Sequence, residues 1–182
     1  MSTRFLHRMQ RVGDPPAVPV PDGVAIRPYA PDRDHARVPQ VYAAAFGAPP
    51  WSGDWDRFAA FDPRGVFVAE TLATREAVGF VTCFRRGGVG YVSVLAVAPG
   101  WRRCGVAHAL LCSAVTYLRS TGLVAVEVDA FTDADPAVAL YRAFGFEVLR
   151  TYEDPQPRDD RETATQGAEP GDPEPKPAGN MA

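Results

Sequence analysis

Residues 97–111, VAPGWRRCGVAHALL, join a β-like apolar run to an amphipathic helical pattern. A helix N-terminus presents backbone amides without partners and the positive end of the helix dipole. Gly105 has no β-carbon and the side chain of Ala107 is only a methyl, so an anion can come close to the backbone there, and Arg102 and Arg103 add charge at the mouth. The amides of about residues 103 to 107 therefore form a candidate phosphate cradle. Other phosphate motifs do not fit. GxxxxGK[ST] needs a lysine, and Lys176 is the only one in the chain; GxGxxG needs a third glycine in register. The plainer reading is a glycine that loosens a helix start between solvated arginines. A second candidate group is the carboxylate pair Glu127 and Asp129, which at i and i+2 of a predicted strand share one face. They read as a general base or an amine anchor, or as solvated side chains.

Composition sets the surroundings. A chain of 182 residues with 46% apolar residues predicts one soluble domain with appendages. The net charge of −3 is uneven: from Glu153 onward eight acids face three bases, so residues 1–152 hold sixteen bases against fourteen acids. A slightly basic body admits a small anionic ligand but lacks the clustered basic face that nucleic acid requires. Cys83, Cys104 and Cys112 form no CxxC pair, which argues against a disulfide framework or a zinc site, and no metal is expected. The N-terminus has no apolar signal core and no stretch is long enough for a membrane span, so a cytoplasmic protein is expected.

Short β-like and helix-like segments alternate between residues 23 and 152. GVAIRPY (23–29), GVFVAETL (65–72), AVGFVTCFRR (77–86), GVGYVSVLAV (88–97), LVAVEVDAF (123–131) and FEVLRTY (146–152) read as strands. PDRDHARVPQVYAAAFG (31–47) reads as a helix weakened by Pro39. The helix after Gly105 places Val106, Ala107, Leu110, Leu111, Ala114, Val115 and Leu118 on one face, with Gly122 as its stop. DPAVALYRAFG (135–145) is a further helix with Pro136 in its first turn. The expected fold is a single-domain α/β unit over residues 23–152. Residues 1–22 are expected to be a flexible extension, and 153–182, with six prolines and no aromatic residue, a disordered acidic tail.

LAVAPGWRRCGVAHALL resembles the acetyl-coenzyme A motif of the GNAT superfamily of N-acetyltransferases. In that motif a strand ends in V-x-P and R/Q-x-x-G-x-G/A opens a long helix. Arg102, Gly105 and Ala107 fill the defining places, and the second signature, L-Y-x-x-x-G-F, appears as Leu140, Tyr141, Gly145 and Phe146. The resemblance covers residues 23 to about 152. It implies a GNAT-type mixed, mostly antiparallel sheet flanked by helices, with acetyl-CoA as co-substrate. By the same resemblance, the pyrophosphate sits on Arg102, Arg103, Cys104, Gly105, Val106 and Ala107. The pantetheine arm extends the strand at Leu95, Ala96 and Val97. Tyr141 serves the departing thiolate, hydrogen-bonding it rather than surrendering a proton outright, since a phenol at about 10 is less acidic than a thiol at about 8.5.

Two departures from the family pattern stand out. Relatives often carry an acid in the strand before V-x-P, where this chain has Tyr91 and Ser93, so the base is left to Glu127 or Asp129, with Glu70 a poorer candidate. The asparagine often found seven residues before the tyrosine is Ala134, with Asp135 beside it as a possible cap. In GAPPWSGDWDRF, Trp51 and Trp55 beside Asp54 and Asp56 suit a cationic amine or, more plainly, cover the core. The expected acceptor is a primary amine of a small molecule or peptide, with aminoglycoside-type polyamines as one option. A catalytically silent acyl-CoA-binding module is the rival expectation, and a homodimer is the expected assembly if there is one.

Overall fold

The computed structural model describes residues 3–47 and 63–154. Seven strands form one sheet: β1 (Phe5–Val12), β2 (Val24–Pro28), β3 (Val66–Thr71), β4 (Ala77–Arg86), β5 (Val89–Val97), β6 (Ala125–Phe131) and β7 (Glu147–Glu153). The described helices are α1 (Pro31–Asp34), α2 (Val38–Phe46), α3 (Val106–Ser120) and α4 (Asp135–Ala143). The strand order is β2-β3-β4-β5-β6-β1-β7, antiparallel at every step except β5–β6, which is parallel. This is the mixed, mostly antiparallel α/β sheet that the family resemblance implies.

Helices cover the sheet on both faces. The buried stripe of α3 (Val106, Ala109, Leu110, Leu111, Ala114, Val115 and Leu118) packs with Val92, Val126, Val128, Phe144 and Phe146 on one face. On the other, Val38, Val41 and Tyr42 of α2 meet Val66, Val68, Phe80 and Ala96. The apolar face of α3 is nearly the one the sequence predicts, with Ala109 fully enclosed and Ala107 partly so. The 31–47 segment divides in two. Pro39 falls in the first turn of α2, where its missing amide costs nothing, so it starts a helix instead of weakening one.

The N-terminus corrects the expectation of a flexible extension at residues 1–22. Phe5–Val12 is a strand in the interior of the sheet, antiparallel to β6 on one side and β7 on the other. Met9 is fully buried on the α3 face, while Arg8 stands directly opposite Asp129 on β6. Residues 13–22 then return along α3. Asp14 pairs with Arg119 (3.1 Å), the Cys112 thiol donates to the Pro16 carbonyl (3.6 Å), and Pro21 lies against Gly105. The tail boundary also shifts, because Glu153 belongs to β7. Residues 155–182 of that tail, and Trp51, Asp54, Trp55 and Asp56, lie outside the described residues.

Candidate active site

β5 and β6 make a fork. They pair at Gly90–Val126, Tyr91–Glu127 and Val92–Val128, and no further rung follows. Beyond that point β5 runs from Val94 to Val97 paired in the sheet with β4 alone, and β6 continues to Phe131 backed by β1. A bulge at Ser93, where the β4 register steps from Val92 to Val94, marks the parting, and the Val94 amide is satisfied by the Thr82 hydroxyl (3.1 Å). Ser93, Val94 and Leu95 are partly exposed in a strand whose neighbouring residues on both sides are buried. Of the expected pantetheine-binding residues, Leu95 flanks this opening, while Ala96 and Val97 are enclosed on their side-chain faces.

Because β5 and β6 are parallel, the helices that follow them begin at the same end of the sheet. After Val97 the Ala98 amide bonds the Val78 carbonyl (2.8 Å), and a single turn at Pro99–Trp101 leads into the loop. Arg103 (φ 63°) and Gly105 (φ 92°) are left-handed, which lets α3 begin directly after Gly105. The helix ladder opens with the Ala109 amide on the Gly105 carbonyl (3.0 Å). The amides of Val106, Ala107 and His108 thus precede the first intrahelical bond and are directed out of the helix end. A β-carbon at residue 105 would stand 3.3 Å from Pro21 as well as needing the positive φ, so glycine keeps this corner narrow.

The two arginines divide their work. Arg102 donates to the Val97 carbonyl (3.2 Å) and the Ala45 carbonyl (2.5 Å), tying the loop to the ends of β5 and α2. Arg103 is exposed and makes no hydrogen bond or ion pair among the described residues, so it is the cation available at the mouth. The exposed Cys104 thiol donates to the Trp101 carbonyl (2.9 Å), and Val106 turns its side chain into the core.

Tyr141 projects from the buried face of α4, 7% exposed, its ring edge-on to Phe146 at 5.7 Å. Burial pushes its phenol well above the ordinary range, which keeps the proton in place until a stronger base develops beside it. No hydrogen bond among the described residues engages the hydroxyl. α4 itself has Ala134 at its N-cap with no side-chain cap bond, so Asp135 does not replace the family's asparagine as a cap.

Glu127 and Asp129 share a face as expected, yet neither is solvated or free. Arg8 grips Asp129 through Nε to Oδ1 (2.8 Å) and Nη2 to Oδ2 (2.7 Å), and the Tyr91 hydroxyl donates to Oδ2 at 2.9 Å. Burial would raise the Asp129 carboxyl; the bonds from Arg8, Tyr152 and Tyr91 outweigh it and hold it below its usual range. Glu127 accepts from Arg86 (3.1 Å) and Gln10 (3.2 Å), with Arg8 at 3.8 Å. Glu70, also weighed as a base, is fully enclosed and accepts from Arg27, Arg33 and Arg75. Arg8 is the residue that sequence reading missed. The only signal for it was a run, Leu6, Arg8 and Gln10, whose polar members match acids two apart on β6.

The comparisons place this fold among acetyltransferases. The model of the acetyltransferase (GNAT) family matches residues 36–146, and the chain belongs to that family. It is 33% identical over 163 residues to a protein named mycothiol acetyltransferase from Mycobacteroides abscessus, covering 83% of this chain and 55% of the relative. A relative of the same name from Pseudarthrobacter chlorophenolicus is 37% identical over 149 residues, 73% of this chain and 45% of its own. The chain thus spans about half the length of the curated relatives it matches. Among solved structures, a GCN5-related N-acetyltransferase from Sphaerobacter thermophilus superposes with a TM-score of 0.71 at 26% identity, over 83% of this chain and 50% of that one. The NatC complex solved with a Gag peptide and CoA shares the fold, with a TM-score of 0.62 at 18% identity, over 70% of this chain and 86% of that one.

Proposed function

We propose that this chain transfers an acetyl group from acetyl-CoA directly to a primary amine of a small molecule or peptide. The observation that carries the reading is the fork: β5 leaves β6 after Val92 and runs to a helix start where the amides of Val106, Ala107 and His108 precede the first intrahelical bond. The amides of residues 103 to 107 would hold the pyrophosphate, with Arg103 beside them. Main-chain groups of Leu95, Ala96 and Val97 would pair with the pantetheine arm as an added strand, and backbone donors at the end of β5 would steady charge on the thioester oxygen.

Tyr141 would bond the departing thiolate. Its buried phenol gives a hydrogen bond that strengthens as charge develops, at no cost in breaking an existing partner. Glu127 and Asp129 are committed to arginine, so the amine proton passes to water and neither carboxylate is assigned as the base. Trp51 and Trp55, outside the described residues, are the candidates for cation–π contact with the amine. The relatives' name adds a mycothiol-type acceptor to the candidates.

The test is a mass-detected acetylation screen with acetyl-CoA over amino acids, N-terminal peptides, polyamines, aminoglycosides and mycothiol precursors. An acetylated product from at least one class supports the reading. No product from any class, with the protein folded, contradicts it.

A further inference from the structure

The fork has a brace of its own. Tyr91 stands on the second of the three β5–β6 rungs, and its hydroxyl reaches across to Asp129, one residue past the last rung on β6. Asp129 is in turn held from its far side by both nitrogens of the Arg8 fork, which also bonds the Tyr152 hydroxyl at 3.1 Å. On its near side the Tyr91 ring is fixed by Phe84 (centroids 5.5 Å apart) and by the Arg86 guanidinium 3.6 Å from its centre, itself bonded to Glu127. The side chains of Arg8, Asp129 and Glu127 are 16%, 13% and 11% exposed, so the linkage is shielded from competing water. Three rungs are a short parallel pairing, and this is a side-chain bond across the crotch where the strands separate.

We propose that Arg8 is a positioning residue for donor binding: through Asp129 it fixes Tyr91, and thereby the opening between β5 and β6. The proposal rests on the reading of that opening as the acetyl-CoA slot. It assigns the N-terminal strand a part in the site, since Arg8 comes from β1 and acts on a gap lined by β5 and β6. An arginine is suited to this because its planar fork bonds both carboxylate oxygens at once, which a lysine cannot do.

The test is calorimetric titration of acetyl-CoA into the wild-type chain and into Tyr91→Phe, Arg8→Met and Arg8→Lys, each melted separately. Tyr91→Phe keeps the ring packing and removes only the bond across the fork. It is expected to weaken acetyl-CoA by about tenfold while the acceptor KM stays as in wild type. Arg8→Met is expected to weaken the donor at least as much, and Arg8→Lys to fall between Arg8→Met and wild type. If Arg8→Met does not fold, Tyr91→Phe decides alone. A wild-type Kd for folded Tyr91→Phe overturns the proposal and leaves the donor site standing. A wild-type chain that does not bind acetyl-CoA overturns the donor reading and the proposal together.

Discussion

The Arg11 guanidinium occupies the space where a β-carbon at residue 145 would stand, and from there donates to the Phe144 carbonyl at 2.5 Å. Gly145 is also left-handed, with φ 89°. The turn it allows brings the Phe146 amide onto the Tyr141 carbonyl (2.9 Å) and the Phe146 ring against the Tyr141 ring. The glycine of the L-Y-x-x-x-G-F signature is thus required by the backbone, and an arginine from β1 fills the space its missing side chain leaves.

Gly145→Ala should destabilise the chain by about 1–3 kcal/mol in urea unfolding. The same substitution in an Arg11→Ala background should cost measurably less, because the side-chain collision is gone while the left-handed strain remains. Equal costs in the two backgrounds would remove Arg11 from the explanation.

Met9→Ala should cost about 2–5 kcal/mol, the range for emptying a fully enclosed site of that size. A frayed terminus would give a change near zero. The measurement is again a denaturant midpoint at constant slope.

The strand containing Met9 is also where the sequence misled. In FLHRMQRV only Met9 is fully buried, and on the opposite face Arg8 and Gln10 are matched to Asp129 and Glu127 far along the chain. Such a strand lacks apolar alternation, because the face that carries Met9 also carries His7 and Arg11, and propensity cannot see partners more than a hundred residues away. The α3 stripe and strands β3 and β4 were legible for the opposite reason: their signals are local in period. The same locality made Gly105 and its loop readable. It also let Glu127 and Asp129 be placed on one face without revealing that both were already partnered.

Stability should fall on acidification through the buried pair Asp34 and Glu70. Burial opposes ionisation of Glu70, but hydrogen bonds from Arg27, Arg75 and Arg33 and the nearby Arg27 charge bring its carboxyl down from 4.5 to about 2. Asp34 is likewise held low: burial opposes this, and the bonds from Arg27 and the Ala30 amide outweigh it. The unfolded chain takes up these protons near pH 4.5 and the folded chain resists until about pH 2, so their contribution is complete above about pH 5 and is lost across that window. Urea midpoints at stepped pH should show the decline, and Glu70→Gln should flatten it. An unchanged slope in the variant would assign the acid limb to other groups.

Tyr141→Phe should lower kcat by roughly a hundredfold, the lower end for losing one preorganised hydrogen-bond donor to developing charge, while acetyl-CoA binds as before. The ring packing with Phe146 survives the substitution, so a loss of donor affinity or of folding would point to a structural tyrosine.

The most direct measurement of the donor site is amide chemical-shift mapping of the labelled chain as acetyl-CoA is added. Saturable shifts should concentrate at Val94 to Val97 and at Arg103 to His108, the two stretches that meet at the open end of the fork. Saturable shifts confined to other surfaces, or none at millimolar ligand, would contradict the assignment of that fork as the acetyl-CoA site.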